Sequence, residues 1–293
     1  MENKFIYALG FFDGVHLGHQ ALVDTCLESA VSHGCRPGAV TFLGHPDTLV
    51  FGVTPPLINT NDDRRKLLME FGIQRGVELP FDMEMMQMPW QDFLDMLVER
   101  YGAAGFVCGD DFVFGHRGQG NIHRLQAYCQ DHGFDCRVVH QVLKDGMVVS
   151  STYIRTLLEA GDVEAAAHFL GHPHILTGEV VSGRRIGRTL GIPTANLALP
   201  EGLVKLPHGV YACIAMAEGR RYTAVTNIGS RPTVGGHRIT VEPWILDFDG
   251  DLYGKELLLE FHKFLRPERK FGSLEELKAR IQADATETKL FFE

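Results

Sequence analysis

Basic residues are scarce: 28 Lys and Arg stand against 37 Asp and Glu, a net charge of −9 over 293 residues. The deficit sits at one end. Residues 1–171 carry 12 basic and 22 acidic side chains, a balance of −10, and residues 172–293 carry 16 and 15, a balance of +1. Nonspecific nucleic-acid binding works by neutralising phosphates with Lys and Arg, so an acidic first part argues against nucleic acid as a partner. A small anionic substrate stays admissible, because a pocket can be locally positive. No apolar run approaches the roughly 20 residues that cross a bilayer, and MENKFIYALG lacks a signal peptide's basic start and cleavage site, which argues against a membrane partner or export. The six cysteines (Cys26, Cys35, Cys108, Cys129, Cys136, Cys213) are scattered, with no C-x-x-C and no close pair, a pattern expected of reduced thiols in the cytoplasm. Internal repeats, low-complexity tracts and the zinc motif H-E-x-x-H are all missing.

What is present changes character partway along. KFIYALGFF is apolar and aromatic, and the helical stretch that follows has Leu22, Val23, Cys26, Leu27, Ala30 and Val31 on one stripe, with Gly34 as a stop. AVTF, VELPF, GFVCG and CRVVHQV read as strands alternating with helical DDRRKLLMEFG, WQDFLDMLVERYG and NIHRLQAYCQDHG. Such alternation predicts βαβ units and a parallel, Rossmann-like α/β sheet. After about residue 172 the strands ILTGEVV, GVYACIAM, RYTAVTNI, TVEPWILDF and ELLLEFHKF follow one another across Gly, Pro and Asp turns, the pattern of a mostly-β barrel. SLEELKARIQAD closes the chain as a helix, with Ser273 as N-cap and Glu276 completing a capping box. Two packing regimes predict two domains, 1–171 and 172–293, with GDVEAAAHFLGHP as a helical link.

The string GFFDGVHLGH (10–19) falls between a strand and a helix. That placement puts His16, His19 and free backbone N–H groups at a helix N-terminus, which favours anions. Gly10, Gly14 and Gly18 admit a close phosphate, Phe12 and Asp13 are expected in the same nucleotide site, and imidazole N–H groups can support charge on a transferring nucleotide. A zinc site needs a third ligand at recognisable spacing; for a bare H-x-x-H, a glycine turn with surface histidines is the commoner outcome. VSSTYIRTLLEAGD (149–162) opens another helix with Ser150, Ser151 and Thr152, and Arg155 comes one turn later. Hydroxyls there are ordinary caps, but with an arginine beside them the same geometry binds phosphate.

F-D-G-V-H-x-G-H together with S-S-T-x-I-R resembles the nucleotidyltransferase half of the bacterial bifunctional riboflavin kinase/FAD synthetases. GDDFVFGHRGQG resembles that family's flavin-side stretch, which implies flavin-binding roles for Asp111 and Phe112. VTFLGHP resembles its T-F-x-P-H-P, with Gly44 in place of proline, and Val113 stands where arginine is common.

In the second part, GEVVSGRRIGRTLGIPTANL (178–197) holds four glycines and three arginines, suited to a flap over phosphates through Gly183, Arg185, Gly187 and Pro193. Thr194 and Asn196, two apart on an extended segment, offer hard oxygens for Mg²⁺ with phosphate oxygens completing the shell; a Gly-rich turn loop is the plainer alternative. The full string resembles the riboflavin kinase signature without interruption, and HGVYAC, NIGSRPTVGG, VEPWILDFDGDLYGKEL and FLRPERKFGSLEELKARI follow in family order, so the resemblance covers almost the whole chain. It implies that Glu242 is the base toward the ribityl 5′-hydroxyl and that Arg266, Glu268 and Phe271 belong to the loop over the isoalloxazine. Pro243, Trp244 and Val234 replace the more usual Val, His and Phe.

The resemblance thus implies an enzyme with two activities. One phosphorylates riboflavin with ATP and Mg²⁺ to FMN; the other transfers AMP from ATP to FMN, giving FAD and pyrophosphate. Three alternatives compete: a kinase with a degenerate adenylyltransferase domain, an adenylyltransferase for another phosphate, and a non-catalytic flavin-binding regulator. The second domain argues against the second of these, and Glu242 with PTAN against the third, since a binder needs neither base nor metal ligands. Oligomeric state is not readable from the sequence.

Overall fold

In the computed structural model, residues 4–182, 191–233 and 236–293 are described, and the chain divides into two units: Met1–Leu57 with Asn61–Ser151, and Ile58–Thr60 with Thr152–Glu293. The first unit runs β1 (Phe5–Leu9), α1 (Leu17–Ser32), β2 (Arg36–Leu43), α2 (Pro46–Val50), α3 (Asn61–Glu70), β3 (Arg75–Pro80), α4 (Met83–Gln87), α5 (Trp90–Tyr101), β4 (Ala103–Gly109), α6 (Ile122–His132), β5 (Asp135–Val139), and a short hairpin of β6 (Leu143–Lys144) and β7 (Met147–Val148). Its five main strands are parallel in the order β3-β2-β1-β4-β5. Every residue of β1 is buried, as expected of a central parallel strand covered on both faces. Tyr7, Leu9, Phe93, Leu97, Phe106 and Leu125 are the centre of the core on one face.

The predicted stripe of α1 needs one correction. Val31 is 83% exposed, and Ser29 takes the buried place. Ser29 can be buried because its hydroxyl donates to Asp135 at 2.5 Å, while Val31 lies outside the arc that faces the sheet.

The second unit holds α7 (Ser151–Ala160), apart from its first residue, and α8 (Val163–Leu170), then β8 (His174–Val180), β9 (Leu197–Ala198), β10 (Gly209–Ala217), β11 (Arg220–Thr233), β12 (Gly236–Ile245), β13 (Glu256–Pro267) and α9 (Leu274–Phe292). The strands close into a barrel in the order β10-β11-β12-β9-β8-β13. Closure leaves no open sheet edge to be covered. The α8 helix packs on β8 and β13. At the start of α9, Ser273 Oγ accepts from the Glu276 N–H at 3.1 Å, as predicted, but the Glu276 carboxylate reaches the Gly272 N–H at 2.9 Å instead of that of Ser273. The helix also runs eight residues past Asp284, where the sequence pattern stops.

Candidate active sites

In the first unit, β1 connects outward to β2 on one side while β4 lies on its other side. Loops leaving the carboxyl ends of two such strands diverge and open a crevice. A cavity of about 350 Å³ lies there, lined by Gly10, Phe11, His16, Gly18 and His19 after β1, by Asp110, Asp111, Phe112 and Val113 after β4, by His140 after β5, and by Ser150 and Ser151. Three separate sequence stretches therefore meet at one place. Ser151 Oγ donates to the Asp13 carbonyl at 2.8 Å, tying the start of α7 to the F-D-G turn.

The turn is strained. Phe12 (φ 59°) and Val15 (φ 40°) both adopt left-handed backbone, beside Gly14 at φ 84°. For a β-branched residue this is a genuine outlier, of the sort that concentrates at working sites. Packing holds it: Phe12, Asp13, Val15 and His16 are all buried, and Gln20 Nε2 donates to the Val15 carbonyl at 2.8 Å.

His16 is the N-cap of α1, its Nδ1 accepting the His19 N–H at 3.3 Å. An accepting Nδ1 leaves the proton of a neutral ring on Nε2. A Cβ on Gly18 would stand 3.1 Å from the His16 ring, so glycine is what lets the ring fold back as a cap. The His16 and His19 rings stack at 3.7 Å. Burial, then His16, then the Arg64 cation hold His19 well below the usual histidine range. Among the described residues no group of three or more His, Cys, Asp or Glu has metal-holding geometry.

Two groups escaped the sequence reading, one lining this cavity and one packed behind its Phe11. Asp110 Oδ2 accepts from His140 Nδ1 at 3.0 Å, and the buried Arg64 lies 4.5 Å from the Phe11 ring. Neither has a spacing signal, since strand order alone brings them near. Thr152 and Arg155, in α7, belong to the second unit.

In the second unit, a larger cavity of about 760 Å³ is lined by Pro193, Thr194, Ala195 and Pro243 with Phe248, Asp249, Asp251 and Tyr253. Backbone bonds pin the PTAN segment on both sides. Ala195 N–H donates to the Pro243 carbonyl at 2.9 Å, and Val181 N–H to the Asn196 carbonyl at 2.8 Å. Thr194 and Asn196 are thereby set beside the strand that carries Glu242. A hydroxyl, an amide oxygen and nearby carboxylates suit Mg²⁺, which keeps several waters and takes most of its remaining ligands from phosphate.

Glu242 pairs in register with Asn227. A Cβ on Gly229 would meet Glu268 Oε1 at 2.7 Å and Asn227 Nδ2 at 3.3 Å, so Glu268 and Asn227 close over the same glycine. Asn227 is the polar neighbour the sequence did not single out. Trp244 packs with Val210, Val225, Leu246 and Leu265 against Ala285 of α9. Arg266 has a different task from its neighbours. Its Nε and Nη2 hold the Asp284 carboxylate at 2.7–3.1 Å, with Asp284 1% exposed, so it ties β13 to α9. Phe271 lies under the Arg269 cation at 4.6 Å. Gly183, Arg185 and Gly187, like Val234, lie outside the described residues.

The FAD synthetase family matches residues 1–153, and the riboflavin kinase family matches residues 170–292. A bifunctional riboflavin kinase/FMN adenylyltransferase of Bacillus subtilis is 33% identical across 99% of this chain and 93% of its own length. The protein of that name from Pseudomonas fluorescens is 37% identical over 95% and 90%. A solved structure described as a macrolide-efflux protein from Streptococcus pneumoniae superposes with a TM-score of 0.87 at 28% identity, covering 99% of this chain and 95% of the other. Among the described residues no helix is long and apolar enough to cross a membrane. With one half matched by each enzyme family, and with relatives alike from end to end, the chain belongs to the bifunctional riboflavin kinase/FMN adenylyltransferase family.

Proposed function

We propose that the two cavities carry the two activities of this family separately: residues 172–293 convert riboflavin to FMN, and residues 1–171 convert FMN to FAD. The observation that carries the reading is the convergence of His16, His19, Asp111, Phe112, Ser150 and Ser151 on one cavity, while Pro193 and Thr194 line another.

In the kinase step, Glu242 takes the proton of the ribityl 5′-hydroxyl as that oxygen bonds to the γ-phosphorus of ATP and the bond to ADP breaks. Phosphoryl transfer of this kind depends on positioning and charge stabilisation. Thr194 and Asn196 hold Mg²⁺, which when bound neutralises phosphate charge. Gly183, Arg185, Gly187 and Pro193 close over the phosphates; Glu268 and Phe271 flank the flavin, and Arg266 supports them by anchoring α9. In the second step a phosphate oxygen of FMN bonds to the α-phosphorus of ATP and pyrophosphate leaves. The attacking group is already an anion and needs no base. His16 and His19 donate to the nucleotide's phosphates with the backbone of Gly10, Phe12, Asp13, Gly14 and Gly18, helped by Ser150, Ser151, Thr152 and Arg155, while Asp111 and Phe112 face the flavin. The six free thiols support a reducing, cytoplasmic setting.

Incubation with riboflavin, ATP and Mg²⁺, followed by chromatographic separation of the flavins, tests the scheme. FMN followed by FAD is expected. FMN alone would leave a kinase with an inactive first domain, and no conversion would leave a flavin binder.

A further inference from the structure

Arg64 is a full cation, from the first turn of α3, that is 1% exposed. Its Nη2 donates to the Phe42 carbonyl at the end of β2 (2.7 Å) and to Asn61 Oδ1 (2.8 Å). Its guanidinium lies 4.5 Å from the Phe11 ring, and the other side of the arrangement is closed by His45 edge-on to Phe11 at 4.6 Å. Nε and Nη1 have no hydrogen-bond partner among the described residues. A buried charge left so incompletely bonded is costly for folding and calls for a reason.

We propose that Arg64 is a positioning residue for AMP transfer: a buried cation that braces the 10–19 loop from behind through Phe11 and sets a fixed positive field at the His16–His19 pair. The proposal rests on the reading of that pair as the phosphate grip. Three features support it. The arginine ties the end of β2 to the loop after β1, two of the elements whose divergence makes the crevice. It is counterbalanced by Asp13, inside the F-D-G turn itself, and by Glu78 of β3; burial lowers its pKa and these two carboxylates push it back up. Its charge also reaches His19, where with burial and the stacked His16 it disfavours the imidazolium. The remaining charged groups lining this cavity are Asp110, Asp111 and His140. The Arg64 side chain is too enclosed to touch substrate, so it acts through the loop.

Arg64→Met and Arg64→Lys, in the full-length chain, separate the two parts of the role. Each variant is assayed for FAD formation from supplied FMN, with FMN formation from riboflavin as the internal control and the His19 ring followed by NMR across pH. Arg64→Met is expected to lower kcat for FAD about tenfold to a hundredfold, leave FMN formation unchanged, and move the His19 titration to higher pH, because a cation that opposed protonation is gone. Arg64→Lys keeps the charge and loses the fork, so kcat falls while the His19 titration stays at its wild-type position. Unchanged FAD formation in Arg64→Met, or lost activity with an unmoved His19 titration, overturns the proposal. If Arg64→Met does not fold, Arg64→Lys decides: wild-type kcat in that variant also overturns it. The phosphate-grip reading fails separately, in a His16→Ala/His19→Ala variant that still makes FAD.

Discussion

Glu242 sits opposite Asn227 in the barrel, and its neighbour Pro243 accepts the backbone bond from Ala195 of PTAN; the proposed scheme makes its carboxylate the base. Glu242→Gln keeps the shape and removes the base. FMN formation is expected to fall by about 10²–10⁴-fold, while FAD formation from supplied FMN persists; near-normal kinase turnover in this variant would remove Glu242 from its role. His16→Ala/His19→Ala should do the reverse, with FMN accumulating and no FAD. That variant also loses the α1 cap, worth about 1 kcal/mol, which urea unfolding would register. Stoichiometric zinc in the wild type, absent from the double variant by elemental analysis, would speak for a metal site instead.

His174, also at the residue scale, bears on pH. It is 1% exposed, neither ring nitrogen has a hydrogen-bond partner among the described residues, and burial, with His172 adding to it, lowers its pKa from 6.5 to about 3. A histidine that resists protonation only when folded contributes stability that is present above pH 6.5 and is lost as pH falls toward 3. The loss amounts to about 1.4 kcal/mol per pH unit across that window. His174→Phe should flatten this acid limb in urea-unfolding midpoints measured from pH 7 to pH 4; an identical slope in the variant would show that other groups carry it.

Among elements, α9 carries a buried carboxylate, Asp284, paired with Arg266 of β13 and with Arg280 one turn earlier. The helical pattern read from the sequence ends at Asp284. The Arg266 fork and Arg280 pair with it, and the helix continues through Thr288, whose hydroxyl donates back to the Asp284 carbonyl at 2.8 Å. Asp284→Ala leaves Arg266 and Arg280 without their shared counter-charge, and is expected to cost about 3–5 kcal/mol of stability. Because α9 covers Trp244 near Glu242, its loosening should raise the KM for riboflavin more than it lowers kcat. A change confined to kcat would show that α9 has no part in holding the flavin.

For the whole molecule, the test is where the chain can be cut. The change of packing regime near residue 172 predicts that 172–293 folds and phosphorylates riboflavin alone. The structure groups residues 152–171 with the barrel, and α8 lays Ala166, Phe169 and Leu170, all buried, into that unit. A 152–293 fragment should therefore melt higher than 172–293 while both make FMN. A 172–293 fragment that is folded by circular dichroism and inert would show that the kinase site needs what was removed. Equal melting of the two would show that α8 adds nothing to the barrel.

The sequence alone determined the alternation of strands and helices, the switch to consecutive strands, and the motif residues, because hydrophobic period, glycine positions and capping side chains act within a few residues of themselves. It could not place Arg64 behind Phe11, Asp110 against His140, or Asn227 beside Glu268, because each pair is joined only by strand order and closure. The same limit applies to Val31, exposed where its spacing suggested burial, and to Arg266, whose charge is taken up by a carboxylate 18 residues away. Local rules specify which elements form. Which buried charges are tolerated, and what they brace, was decided only when the tertiary structure brought their counter-charges within reach, since an unpaired charge in a low-dielectric interior costs more than any local preference can offset.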